Sequence, residues 1–280
     1  MRKSQLFNRL FIVSAAFVLF TASALIQSTE YGPEKGALVI IGGGRVGPEI
    51  INRFIELAGG ADAPIVVIPT AGGNEKYDEN NSGLGMFTTA GVKNITVLHT
   101  IDRKIADSEE FVKPLKTARG VWIGGGRQWR LTDVYLNTLT HKELFNVLER
   151  GGVIGGSSAG ASVQASYMVR GAPEGNTIMM AEGHEEGFGF IKNAAVDQHI
   201  NTRNRFNDLN LVIKTYPNLI GIGLFESTAI VVQKDRFEVI GTGKVAIHDS
   251  KRVTAPGDSL YYLLDSGTIF DIKTRTIVNK

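Results

Sequence analysis

Short apolar runs that end in glycine, each followed by an amphipathic segment, recur along this chain. Ala37 to Ile41 is continuously apolar, as strands buried on both faces are, and it runs into Gly42-Gly43-Gly44. From Pro48 the period changes. Ile50, Ile51, Phe54, Ile55 and Ala58 fall on one helical face, proline stands at the helix start, and Gly59-Gly60 stops it. Pro64 to Pro69 predicts the next buried strand and completes a β-α-β unit. Asn74 to Ser82 is polar and reads as a loop or helix edge, Ile95 to His99 as a third strand, about Ser108 to Ala118 as a helix, and Val121-Trp122-Ile123 as a fourth strand. Gly124-Gly125-Gly126-Arg127-Gln128 follows, with a helix beginning near Gln128. Lys142 to Arg150 is amphipathic through Leu144, Phe145 and Leu148, is stopped by Gly151-Gly152, and feeds a strand from Val153. Ala194 to Val196 predicts a strand ending in Asp197-Gln198-His199, then a polar turn and a helix carrying Phe206, Leu209, Val212 and Ile213. Leu219 to Leu224 is a strand that delivers Phe225-Glu226-Ser227. From Thr228 onward alternation takes over, with turns at Lys234-Asp235 and Asp265-Ser266-Gly267. The pattern predicts an α/β fold: a mostly parallel sheet flanked by helices on both faces, with an antiparallel C-terminal β extension.

Composition narrows the class. The 280 residues are 43% hydrophobic and 21% charged, enough for a sizeable core, and no repeat or low-complexity linker divides them, so residues 25–280 read as a single domain. Residues 1–24 differ. Arg2, Lys3 and Arg9 make a basic start, Leu10 to Phe20 is mostly apolar, and Ala22-Ser23-Ala24 supplies small residues for cleavage, the pattern of a signal peptide. A single membrane anchor is the competing reading, because the apolar stretch can be extended to Ile26. Cleavage after Ala24 turns the net charge from +2 to about −1 and leaves a protein with no stable membrane association. No basic patch interleaved with aromatics points to nucleic acid. With no cysteines, disulfides, a thiol nucleophile and a zinc ribbon are excluded. Export without disulfides suits a periplasmic or extracellular protein.

Candidate chemistry centres on Val153 to Val163. Within it Gly156-Ser157-Ser158-Ala159-Gly160 fits G-x-S-x-G, a strand, sharp turn and helix that raise the hydroxyl of Ser158 above the sheet edge and aim the amide of Ala159 toward a forming oxyanion. A Gly/Ser-rich connector without chemistry has the same appearance. A serine needs a base, most often a histidine oriented by a carboxylate. Of five histidines only His199 sits at a strand's carboxyl end after the elbow. Glu226, just past another strand end where loops converge on the same crevice, is preferred as the orienting acid over Asp197, which is nearer to His199 in sequence. Gly42, Gly44 and Gly47 also spell G-x-G-x-x-G, but the next strand ends Pro69-Thr70-Ala71-Gly72-Gly73 without the acid a dinucleotide site uses, so the glycines read as a tight turn and close packing and no cofactor is expected. His184-Glu185-Glu186 lacks a second histidine at ligand spacing, so no metal site is expected.

On these residues the chain resembles the cyanophycinase family of serine peptidases, relatives of the aspartyl dipeptidases with a class I glutamine amidotransferase-like fold. The elements that carry the likeness are Gly125-Gly126-Arg127-Gln128, Gly156 to Ser162, Gly187-Phe188-Gly189-Phe190 ahead of Asp197-Gln198-His199, Gly221 to Glu226, and Gly267-Thr268-Ile269-Phe270-Asp271. The resemblance implies Ser158 as nucleophile, His199 as base and Glu226 as third member. It also implies an oxyanion hole near Gly126 and Ala159, with Gln128, Asp197, Gln198, Arg203 and Arg205 near the substrate, and a homodimer. Such a family releases β-aspartyl-arginine dipeptides from cyanophycin. A site for that unit needs cations for the aspartyl carboxylate, which Arg203 and Arg205 can supply, and an acid for the guanidinium, which Asp197 can supply. Arg127, Ile200 and Asp208 depart from the family pattern, where an acidic or amide residue, a phenylalanine and an arginine are expected; they bear on the substrate rather than on the three central side chains. An aspartyl dipeptidase using the same chemistry and a non-catalytic peptide-binding protein are the other readings.

Overall fold

The apolar runs ahead of the glycines become strands because each is buried on both faces and β-branched residues dominate them. The computed structural model describes residues 29–78, 83–252 and 259–279; the leader expected over 1–24 lies outside the described residues, as do 79–82 of the loop expected over 74–82. Strands β1 (Ala37–Ile41), β2 (Ile65–Ile68), β3 (Ile95–Val97), β4 (Gly120–Ile123) and β5 (Val153–Ser157) are parallel and ordered β1-β5-β4-β2-β3. Strands β6 (Ala165–Tyr167), β7 (Ile191–Asp197) and β8 (Ile220–Leu224) are also parallel but form a separate sheet. Then come β9 (Thr228–Gln233), β10 (Arg236–Gly241), β11 (Lys244–Asp249), β12 (Tyr261–Asp265), β13 (Ile269–Asp271) and β14 (Thr276–Asn279).

These last strands pair antiparallel, as the alternation predicts, but they are shared out. β9, β10, β13 and β14 continue the first sheet beyond β1, while β11 and β12 continue the second beyond β8. The single sheet expected from the sequence is therefore two. Their packing shows in β1 itself: Leu38 and Ile40 face a core with Ile123 and Ile154 and with Val196, Ile222 and Leu224 of the second sheet. Val39 and Ile41 face the opposite core with Ile50, Ile51, Phe54 and Trp122. Phe54 meets Trp122 edge to face, ring centroids 5.2 Å apart.

The helix Pro48–Ala58 has the bounds its period predicts, closed by a left-handed Gly59. The helix expected from Ser108 to Ala118 is shorter, Lys113–Thr117, behind another at Arg103–Ala106. Pro114 accounts for this: lacking an N–H and clashing with the preceding turn, it is tolerated only in a helix's first turn. The three-residue β6 has no sequence signal of its own. Among the described residues no helix is long and apolar enough to cross a membrane.

Candidate active site

Ser158 sits at the end of β5 with φ 57° and ψ −112°, ahead of the short helix Ala159–Ser162. A non-glycine residue in that region carries strain on the order of 1–3 kcal/mol and is held there by its surroundings. Its N–H donates to the Ile41 carbonyl at 3.1 Å, and its own carbonyl accepts from Ala161 and Ser162 at 2.9 and 3.1 Å. The chain doubles back so tightly that a Cβ on Gly156 would lie 2.2 Å from the Gly160 carbonyl oxygen. The elbow expected from the motif is thus formed.

His199 and Glu226 come from the second sheet. β7 and β8 are neighbours, Asp197 opposite Gly223, so the residues beyond their carboxyl ends emerge side by side. The Gly42–Gly44 turn after β1 joins the two sheets at this point. His199 N–H donates to Gly42 O at 2.9 Å, Ser227 N–H to Gly43 O at 2.9 Å, and Gly42 N–H to Thr228 O at 3.0 Å. Gly43 has φ 99°, and a Cβ on it would lie 2.2 Å from His199 Cε1, so the imidazole rests on bare backbone. The close packing that the glycines suggest is packing against His199. His199 and Ser227 also hold positive φ, 58° and 56°, which gathers three strained residues around one point.

Ser158 Oγ lies 2.8 Å from His199 Nε2, and His199 Nδ1 lies 2.5 Å from Glu226 Oε1. The Thr202 hydroxyl donates to the same Oε1 at 2.9 Å, and Glu226 N–H donates to Asn201 Oδ1 at 2.9 Å. A carboxylate on Nδ1 keeps the ring proton there and leaves Nε2 to accept from the serine hydroxyl. Burial pushes His199 below the ordinary histidine value; the hydrogen bond to Glu226 opposes this, and the positive charge of Arg203 adds to it. Hydrogen bonds from His199 and Thr202 hold Glu226 below the usual carboxylate range. Near neutral pH the ring is therefore unprotonated and the acid ionised, the states that a base and its orienting partner need. A chain of hydroxyl, imidazole and carboxylate of this kind can activate the hydroxyl for attack on a carbonyl. Asn201 and Thr202 did not stand out in the sequence; their one signal is their place just after His199 in a polar turn.

Around Ser158 the glycines after β4 leave room. A Cβ on Gly125 would be 3.9 Å from Ser158 Oγ, and the amides of Gly126 and Ala159 have no acceptor among the described residues. Gln128 is buried and its amide donates to the Val169 carbonyl at 2.7 Å. Arg127 reaches the Ala172 carbonyl, so both tie the β4 loop to the segment after β6. Ile200 is buried, packed in the space left by Gly223. Asp197 is fully buried and both its oxygens are taken by Arg170, at 2.8 and 2.9 Å. Arg170 also pairs with Asp208 at 2.5 Å. Arg203 is exposed, whereas Arg205 is buried with Asp197 3.9 Å away. Gln198 is buried and its Oε1 has no partner among the described residues. Arg170 gave no signal in the sequence, a lone basic residue between Val169 and Gly171.

Residues 38–240 match peptidase family S51. The chain is 32% identical over 226 residues to a cyanophycinase of Geminocystis herdmanii, a match spanning 79% of this chain and 83% of that protein. It is 30% identical over 274 residues to a cyanophycinase of Synechococcus elongatus, spanning 90% of this chain and 84% of that one. The crystal structure of a peptidase from an acI-B1 Actinobacterium superimposes with a TM-score of 0.64 at 27% identity, covering 86% of this chain and 98% of that one.

Proposed function

The chain belongs to peptidase family S51, serine-type peptidases, and on that footing we propose that it is an exported exopeptidase hydrolysing cyanophycin or related β-aspartyl peptides to dipeptides. Ser158 attacks the scissile carbonyl while His199 Nε2 takes its proton, and Glu226 holds the ring and offsets the charge the imidazole gains. The amides of Gly126 and Ala159 receive the oxyanion. His199 returns the proton to the leaving amine, and water then releases the acyl-enzyme by the same steps. Arg203 and Arg205 supply positive charge for the aspartyl carboxylate. No cofactor enters these steps. The observation that carries the reading is the unbroken hydrogen-bonded chain from Ser158 Oγ through His199 to Glu226.

One observation favours a second reading, an aspartyl dipeptidase: Asp197, the acid a substrate guanidinium would use, already holds Arg170. The deciding experiment incubates the protein with insoluble cyanophycin and with Asp-X dipeptides and identifies products by mass spectrometry. Release of β-aspartyl-arginine by the native protein and none by Ser158→Ala is expected. Cleavage of the dipeptides alone would move the assignment to the dipeptidases. Cleavage of neither, with ligand binding unchanged in Ser158→Ala, would indicate a binding protein. Export rests on residues 1–24, and recovery of a chain lacking them from the periplasm or medium is the result expected of fractionation.

A further inference from the structure

Arg170 is an odd residue to find where it is. It is 2% exposed, it heads the described side chains in buried size, and it holds φ 59°, a backbone conformation that side-chain-bearing residues seldom adopt. Its guanidinium is nearly saturated. Nε and Nη2 grip the two oxygens of Asp197 at 2.8 and 2.9 Å, Nη2 also donates to Asp208 Oδ2 at 2.5 Å, and Nη1 donates to the Asn176 carbonyl at 2.8 Å. Asp197 Oδ1 accepts in addition from Gln198 N–H at 2.9 Å, which leaves this acid little capacity for another cation. The segment that presents Arg170 is itself fastened to the loop beside Ser158, through Gln128 to Val169 and Arg127 to Ala172.

Arg205 is the contrast. It is almost as deeply placed, yet its contacts are a 3.4 Å hydrogen bond to the Gln198 carbonyl and a 3.9 Å approach to the Asp197 oxygen that Arg170 already holds. Its Nε and Nη2 have no acceptor among the described residues. Where Asp197 alone would offer negative charge, the surroundings of His199 thus hold a neutralised acid and an under-paired guanidinium.

We infer that Arg170 is a specificity-determining residue: a guanidinium built into the chain, seated on the acid that a substrate's guanidinium would otherwise use. The inference rests on the peptidase reading above and sharpens it. The site selects for the aspartyl carboxylate through Arg205 and is indifferent to the cation on the attached amino acid, so β-aspartyl units carrying arginine or a neutral isostere are hydrolysed alike. Asp208 belongs to the device. It is the acid found where the family resemblance leads one to expect an arginine, and here it supplies the second anchor for Arg170.

The test uses two synthetic oligomers with an aspartate backbone, one bearing arginine on each β-carboxyl and the other citrulline, which keeps the shape and lacks the charge. For the native protein the ratio of kcat/KM, arginine over citrulline, is expected to lie within about threefold of one, since no charge-assisted contact distinguishes them. Arg170→Gly suits the left-handed backbone and vacates the guanidinium's volume. It is expected to raise the ratio about tenfold or more as Asp197 becomes available to pair with the substrate. Because that variant strips a buried carboxylate of its two guanidinium hydrogen bonds and can fail to fold, Asp208→Asn is the second variant. It loosens Arg170 from its half-exposed anchor and is expected to raise the ratio by a few-fold. A native protein that already prefers the arginine oligomer by about tenfold or more would overturn the inference without touching the peptidase reading, as would variants that fold and leave the ratio unchanged. Cleavage of neither oligomer would remove the cyanophycin-cleaving reading and this inference with it.

Discussion

The imidazole of His199 feels a charge it does not touch. Arg203 is exposed and makes no hydrogen bond to the ring, yet its positive charge disfavours a second one on His199, in the same direction as burial. The acidic limb of kcat/KM against pH, set by protonation of the free base, is therefore expected below the ordinary histidine value. In Arg203→Gln the opposing charge is gone, the protonated ring becomes easier to form, and the limb moves to higher pH, less so at high salt. A pH profile of the two proteins checks this; a limb that stays put or moves down would contradict it. The shift is separable from any role of Arg203 in holding substrate, which would appear in KM at every pH. At this scale the sequence was most legible where a residue carries its own signature. Ser158 sits in a patterned turn, and His199 and Glu226 each follow a strand end. Arg170 was illegible because its partners, Asp197 and Asp208, lie 27 and 38 positions away and nothing local predicts a buried cation. Asp197 was legible as a polar residue at a strand end, but not as one whose capacity is already filled.

Turns rather than strands connect the two sheets, and the Gly42–Gly44 turn is the one that matters most. Three backbone hydrogen bonds fasten it to the segments bearing His199 and Glu226, and Gly43 is the floor under the imidazole. Gly43→Ala would place a methyl group in the ring at a φ that alanine disfavours, so the ring must move away from Ser158. A displacement near 1 Å in a catalytic group costs about a hundredfold in rate, and a loss of that order in kcat, with a lesser change in KM, is the expected outcome of steady-state kinetics. Activity within twofold or so of the native value would contradict the role given to this turn. Hydrophobic pattern marks some elements of this fold well and others poorly. Continuous apolar runs and the helix Pro48–Ala58 were placed well because burial on both faces, or a one-sided stripe, leaves a plain period. The helix expected from about Ser108 to Ala118 starts only at Lys113, because Pro114 outweighs an otherwise amphipathic pattern. β6, three residues long, is too short to have a period.

Across the whole molecule, alternating strands and helices were enough to give an α/β protein, but not to tell one sheet from two. A strand's own sequence reports that it is buried, not which neighbour it pairs with. The split is what makes the site. Ser158 stands at the carboxyl ends of the first sheet, His199 and Glu226 at those of the second, and one core shared by Leu38, Ile40, Val196, Ile222 and Leu224 holds the two sheets together. Ligand crevices outside the carboxyl ends of parallel strands are a general property of such sheets, and here two sets of ends meet.

On the proposed mechanism Ser158 and His199 act as one unit. The most direct measurement is the kcat of cyanophycin hydrolysis for Ser158→Ala, His199→Ala and the double variant. Residues that form one proton-transfer chain are not additive, so each single change is expected to remove about four orders of magnitude or more and the double change to remove no more than the larger of the two. Single losses of only a few-fold, or losses that multiply in the double variant, would contradict it.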